Sequence, residues 1–308
     1  MPPLAFACPR CHTLLRQISA DEVCCPQDGL RFCRSAGIWR FLLPGRAAYF
    51  EQFIREYETV RRAEGRASHD PLYYRALPYQ DLSGKMSGAW RIRAASFDLF
   101  LKRVLAPLEE TSRSLQILDL GAGNGWLSNR LAERGHVVHA VDLMLNDFDG
   151  LGCQRFYDTV FTSAQAEFDR LPFPDGCADL LIFNASLHYS IDIRATLAGA
   201  LHLLAPGGKL VLLDSPLYRA ADSGVQMVSE RERQFVQRFG FASNALPSEN
   251  YLTYEKMDAM AASLGLSWQF FTPFYGLRWA LRPYLARLRG SREPASFHVI
   301  TGSRKGLG

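Results

Sequence analysis

The chain has 308 residues and a mass of 34.6 kDa, too long for one small module and about right for one large α/β domain with an attachment. Hydrophobic residues make up 48% and charged residues 21%, an ordinary globular balance that excludes disordered and fibrous classes. A formal net charge of +4 and a pI near 8.7 are compatible with anionic ligands but fall short of a dedicated nucleic-acid arm. No run is apolar and long enough to cross a bilayer, and no basic region followed by an apolar core opens the chain, so a cytoplasmic protein without a membrane span is expected.

Residues 1–45 form the first zone, closed by the turn signal Pro44-Gly45. Five of the seven Cys fall here, at positions 8, 11, 24, 25 and 33, and such clustering without an export signal argues for metal rather than disulfides. Cys8 and Cys11 make a C-x₂-C knuckle, and Cys24-Cys25 begins a second, irregular one. Two knuckles at this separation build a tetrahedral Zn²⁺ site of the ribbon type. Counting from Cys25, the fourth ligand falls on Asp28. Cys24, Cys33 and His12 are the alternatives, and a metal-free pocket of reduced thiols is the competing reading.

Residues 46–112 read as a helical connector or cap. Phe50, Phe53, Ile54, Tyr57 and Val60 recur at helical spacing. A polar break at 67–71 leads into an aromatic stretch from Tyr73 to Trp90, and Ile92 to Leu108 is a further amphipathic helix.

From residue 113 onward, strand-like runs alternate with helical stretches. Candidate strands are Leu115–Leu120, Val137–Asp142, Thr159–Thr162, Ala178–Asn184 and Lys209–Asp214, with a last one at Phe297–Thr301. Near-continuous apolar runs are expected of parallel strands buried on both faces, and their alternation with helices implies a doubly wound sheet. Residues 215–250 interrupt the pattern as an insertion.

The densest chemical signal is the run Leu118 to Gly125, LDLGAGNG. A buried strand enters a glycine turn, and a helix from Trp126 to Arg134 follows. The glycines allow backbone conformations and ligand approach that a Cβ would forbid. Asp142 ends the next strand, where a carboxylate can accept both hydroxyls of a ribose. Dinucleotide folds favour G-x-G-x-x-G, whereas the spacing here is G-x-G-x-G with Asp119 two residues before the first Gly. A carboxylate there repels a pyrophosphate and attracts an amino-acid ammonium. A ligand with a ribose and an amino-acid tail follows, and S-adenosyl-L-methionine (SAM) has both.

On these residues the sequence resembles the class I SAM-dependent methyltransferases, closely over about 115–215 and loosely over 250–302. LDLGAGNG resembles the first family motif, AQAEFDRLPFPDGCADLLIFNASLHY (164–189) the segment through the fourth strand, and LAPGGKLVLLD (204–214) the fifth. The resemblance implies an α/β fold with a doubly wound, mostly parallel, seven-stranded Rossmann-like sheet. It implies cofactor contacts from Asp119, Gly121, Ala122, Gly123, Asn124, Asp142 and Leu143. It further implies that Glu167 faces the adenine amino group, that the Phe168 backbone caps the ring, and that Asn184 and His188 lie near the methyl group. The segment around the Cys knuckles resembles the zinc-ribbon head of some rRNA guanine methyltransferases, which carry His where this chain has Gly29.

In such folds acceptor specificity comes from material added around the sheet's C-terminal edge. The aromatic stretch with Tyr73, Tyr74, Tyr79 and Trp90, and the insertion with Tyr218, Met227 and Phe235, are the candidates, with Tyr79, Trp90 and Tyr218 as substrate contacts. His188 or Tyr189 is the candidate base for an acceptor that must lose a proton. The expected activity is methyl transfer by in-line displacement to a small-molecule acceptor, with the protein mainly aligning acceptor and methyl. An rRNA or tRNA base methyltransferase is the alternative, suggested by the head and by the basic stretch Arg278 to Lys305. A non-catalytic SAM-binding or zinc scaffold protein is the third reading.

Overall fold

The computed structural model describes residues 5–66 and 68–304. Four short strands come first: β1 (Arg16–Ser19), β2 (Glu22–Cys24), β3 (Arg31–Ser35) and β4 (Ile38–Arg40). They form an antiparallel meander, and β4 then runs parallel to a strand of the main sheet. Three helical segments follow: α1 (Arg46–Ala63), α2 (Pro71–Ala76) and α3 (Ser87–Phe100), the last continuing through a wider turn at Leu101–Leu105 into α4 (Ala106–Glu109). The expected helices at Phe50–Val60 and Ile92–Leu108 are these elements.

The α/β part contains β5 (Gln116–Leu120), α5 (Trp126–Glu133), β6 (Val137–Asp142), β7 (Thr162–Gln165), β8 (Ala178–Asn184), α6 (Ile193–His202) and β9 (Leu204–Leu213). After it come β10 (Leu217–Tyr218), α7 (Ala221–Phe239), β11 (Leu252–Thr253), α8 (Tyr254–Leu264) and β12 (Leu266–Phe271). The short helices α9 (Leu277–Ala280) and α10 (Arg282–Leu288) precede the last strand, β13 (Val299–Arg304). Lys305, the end of the basic stretch, lies outside the described residues.

The sheet order is β1-β2-β3-β4-β7-β6-β5-β8-β9-β13-β12. The stretch from β7 to β12 is the expected seven-stranded doubly wound sheet, with only β13 antiparallel to its neighbours. The expectation of seven strands is corrected to 11, because the pairing of Ile38 with Ser163 through Arg40 with Gln165 adds the N-terminal meander to the β7 edge.

Alternate residues of each central strand face opposite cores, as the two-residue period of a strand requires. Leu118, Leu120, Val141, Leu181, Phe183, Leu210 and Leu212 pack on one side. Ile117, Val138, Leu180, Ile182, Val211 and Leu213 pack on the other. Burial on both faces is why these strands read as continuous apolar runs. The first core extends into the N-terminal meander through Cys8, Val23, Cys25, Phe32, Trp39 and Phe41. β5 has β6 on one side and β8 on the other, so chain crossovers leave it in opposite directions. A crevice opens at such a reversal, outside the carboxyl ends of the strands.

Candidate active site

The loop after β5 is built by its glycines. Gly121, Gly123 and Gly125 have φ of +81°, +55° and +79°. A Cβ on Gly121 would lie 2.3 Å from the Ser186 Cβ, so any larger residue displaces the loop. The backbone N–H groups of Gly121 and Ala122 both donate to the Val141 carbonyl, at 2.8 and 3.0 Å, which pins the loop to β6.

Asp142 ends β6 beside this loop. Its Oδ2 accepts from the Gly123 N–H and its Oδ1 from the Met144 N–H, each at 2.8 Å. A carboxylate has about four lone-pair positions, so both oxygens keep acceptor capacity toward the crevice. Burial raises the Asp142 pKa, against the two backbone donors. Asp119 lies deeper. Its Oδ2 accepts from Ser128 Oγ at 2.7 Å, while Oδ1 is buried with no hydrogen-bond partner among the described residues. Burial, opposed by the Ser128 hydrogen bond, pushes the Asp119 pKa up to about 7. Asn184, ending β8, also has a buried Oδ1 without a partner. Two orphaned acceptors on neighbouring strands are what a buried ammonium group requires.

The crevice is a cavity of about 460 Å³. One side is lined by Gly121–Asn124, Asp142–Met144, Ala166–Phe168 and Asn184–Ser186. The other side is built by Tyr57 and Arg61 of α1, Trp90 and Arg93 of α3, and Arg231 and Phe235 of α7. The residues expected at the cofactor are therefore brought to one cavity, except Asp119, which is buried and does not line it.

Glu167 lines the cavity, but both its oxygens are already held. Arg46 Nε lies 2.9 and 3.0 Å from them, Arg46 Nη2 lies 2.5 Å from Oε2, and Arg170 Nη1 lies 3.1 Å from Oε1. This forked ion pair ties the start of α1 to the end of β7. His188 is 8% exposed, with Nδ1 at 3.4 Å from Ser215 Oγ. Burial, assisted by the nearby Arg231 charge, lowers its pKa to about 3, so the ring is neutral at physiological pH. The Tyr189 ring packs against it with centroids 4.4 Å apart.

Of the three expected substrate contacts, only Trp90 reaches the cavity. Tyr79 is 54% exposed; its ring packs on Phe97 and its hydroxyl donates to Asp98 at 2.9 Å. Tyr218 is 2% exposed, packs against Tyr251 and receives a hydrogen bond from Arg292, outside the cavity. Both were chosen for aromatic character, and here that character serves packing. Arg61, Arg93, Arg231 and Asp214 line the cavity without having been singled out from the sequence. Asp214 had a usable signal, since it follows β9 as Asp142 ends β6. Neither the N-terminal meander nor Arg278, Arg282 or Arg287 contributes to the lining.

At the other end of the sheet, one ligand atom each from Cys8, Cys11, Cys25 and Asp28 lie within 4.8 Å of one another. The Cys11 and Cys25 sulfurs are 3.4 Å apart, and Cys8 Sγ is 3.5 Å from Asp28 Oδ2. Tetrahedral Zn–S bonds of ~2.3 Å place ligand atoms just under 4 Å apart, so the set has the dimensions of a zinc site. The Asp28 N–H donates to Cys25 Sγ at 3.2 Å. Burial pushes the Cys8 thiol up to about 12, a state that a bound cation would reverse. Cys24, Cys33 and His12 stand outside the cluster.

Residues 118–212 match the family model described as a methyltransferase domain. Together with the glycine loop, the strand-end carboxylates and the sheet order, this match places a methyltransferase domain within residues 118–212 of the chain. Among curated relatives, it is 33% identical over 120 residues to the tRNA 5-carboxymethoxyuridine methyltransferase of Escherichia coli (strain K12), covering 37% of this chain and 44% of that one. It is 27% identical over 173 residues to the ubiquinone/menaquinone biosynthesis C-methyltransferase UbiE of Shewanella sp. (strain ANA-3), covering 49% of this chain and 67% of the relative. The chain thus spans less than half the length of the tRNA enzyme that it matches. A similar solved structure is Burkholderia thailandensis 1,6-didemethyltoxoflavin-N1-methyltransferase, with TM-score 0.49 and 15% identity over 94% of this chain and 99% of that one.

Proposed function

We propose that the chain transfers a methyl group from SAM to a small-molecule acceptor bound between α1, α3 and α7. Asp142 would receive the ribose hydroxyls, Asp119 and Asn184 the ammonium, and the loop Gly121–Asn124 would run against the amino-acid and ribose portions. Leu143, Phe168 and the Glu167–Arg46 pair would surround the adenine. The sulfonium supplies an electrophilic methyl, so the protein's work is alignment and exclusion of water. His188 is the candidate proton acceptor for an alcohol or an acidic carbon and Tyr189 packs against its ring, but burial and the Arg231 charge make it a weak base, so an acceptor that needs no deprotonation fits the site better.

The single observation that carries the small-molecule reading is the cavity. About 460 Å³ must hold the reacting part of the cofactor as well as the acceptor, and apolar rings (Phe53, Tyr57, Trp90 and Phe235) line it. An RNA base would need an open, basic approach wide enough for a flipped nucleotide. Methyl-labelled SAM, incubated with the protein and either a small-metabolite extract or total RNA, decides between them. Label in the metabolite fraction is expected, and label in RNA would promote the reading that the tRNA relative suggests.

We also propose one structural Zn²⁺ at Cys8, Cys11, Cys25 and Asp28. It would fix the meander whose last strand extends the main sheet.

A further inference from the structure

Several of the cavity's charged groups are already held by the protein. Asp149 pairs with Arg61 at 2.6 Å, and Glu64 pairs with Arg66 at 2.7 Å. Glu167 is held by Arg46 and Arg170. Asp169 accepts from Thr196 Oγ1 at 2.6 Å, and Asp214 accepts from Ser96 Oγ at 2.5 Å while facing Arg93. Arg231 has no such partner. It points from α7 into the cavity, its Nε and Nη2 are buried, and neither has a hydrogen-bond partner among the described residues. Its charge is close enough to be felt by the His188 ring.

A guanidinium is always charged and cannot escape by losing its proton. Arg231 is partly buried, with its guanidinium carbon 6.0 Å from the Phe235 ring centroid, and two of its three nitrogens lie buried without a hydrogen-bond acceptor among the described residues, so its place at the wall of a binding cavity calls for a ligand. The planar fork of donors matches an oxyanion. SAM as a whole is a net cation, and its single carboxylate belongs to the amino-acid end proposed to lie against Gly121–Asn124 rather than α7; loss of S-adenosylhomocysteine affinity in Arg231→Gln would instead assign Arg231 to that carboxylate. The same wall carries the rings of Tyr57, Trp90, Phe235 and Phe297. We infer that the methyl acceptor is a small, partly aromatic molecule bearing an oxyanion, a carboxylate or a phosphate, and that Arg231 receives it. This rests on the methyltransferase reading and adds the acceptor's chemical class. Arg231 is a specificity-determining residue here, with the acceptor's nucleophilic atom left to face the methyl position.

The full chain is titrated with S-adenosylhomocysteine and then, in its presence, with benzoate, the neutral isostere benzamide, and inorganic phosphate. Benzoate or phosphate should bind the wild type saturably and at least tenfold more tightly than benzamide. Arg231→Gln should lose that preference while keeping its affinity for S-adenosylhomocysteine, which also shows that the variant is folded. Arg231→Lys, which keeps the charge but not the fork, should retain part of it. Without any anion, Arg231→Gln should melt a few degrees higher than the wild type, and saturating anion should reverse that order. Equal binding of charged and neutral probes, or an unchanged preference in Arg231→Gln, would overturn the inference. A preference for phosphate over benzoate assigns a phosphorylated acceptor, and the reverse assigns a carboxylic acid. Tight binding only of an RNA hairpin, with a steep salt dependence, would contradict the small-molecule class. Failure of the wild type to bind S-adenosylhomocysteine would instead defeat the underlying methyltransferase reading.

Discussion

Asp119 shows how one buried side chain carries information about the ligand. Its ordinary pKa of 3.8 rises to about 7 in the fold, because burial outweighs the Ser128 hydrogen bond. Between those values the folded state holds a proton that the unfolded state has released. Stability therefore falls as pH rises from about 4 to about 7 and levels off above. An ammonium against the orphaned Oδ1 reverses this preference by favouring the carboxylate. SAM binding near pH 7 should thus release protons. Calorimetry in phosphate and in Tris, which differ in ionisation enthalpy, should give apparent binding enthalpies that differ by a measurable fraction of a proton. Asp119→Asn should abolish the difference. Identical enthalpies in both buffers for the wild type would remove Asp119 from contact with the cofactor ammonium. The sequence showed Asp119 by its place before Gly121. Arg231 stayed hidden because it sits in an alternating run, Glu230 to Arg233, that reads as a solvated helix face.

Among the elements, legibility follows burial. β5, β6 and β8 were readable because both faces of each lie in the cores, which forces continuous apolar runs. β7 was misplaced by about three residues. The expected strand at Thr159–Thr162 contains Val160, which is 92% exposed, and the real strand uses Ser163, Ala164 and Gln165, too small and polar to signal burial. β4 was invisible as part of the main sheet, since its partner lies more than a hundred residues away and three residues carry no period. The grouping of Cys8, Cys11, Cys25 and Asp28 was legible from spacing alone, because the two knuckles are local turns. The head is expected to carry close to one equivalent of zinc per chain when purified without added metal. Cys8→Ser should release it and lower the melting temperature by several degrees, because the meander core around Phe32 and Trp39 is continuous with the main sheet. Less than a tenth of an equivalent, by elemental analysis, would leave the cluster as packed thiols.

At the scale of the whole molecule, the sheet presents one wall and sequence-distant helices present the other. The β-strand ends are fixed by two cores, whereas α1, α3 and α7 meet the cavity from three separate parts of the chain. That division explains why the strand-end side of the cavity was legible in the sequence and the helical side was not: Tyr79 and Tyr218 are as aromatic as Trp90, and only packing decides which faces the cavity. The forked pair of Arg46 with Glu167 ties α1 to the end of β7 across more than a hundred residues of chain.

Competitive calorimetry with SAM and NAD, on the wild type and on Asp142→Ala, tests methyl-donor binding most directly. SAM should bind the wild type one to one and should not be displaced by NAD. Removing the Asp142 carboxylate takes away two charge-assisted hydrogen bonds to the ribose, which should weaken SAM by roughly 2–4 kcal/mol, or about 30- to 1,000-fold. NAD displacing SAM from the wild type, or unchanged SAM affinity in Asp142→Ala, would contradict the assignment of this crevice to SAM.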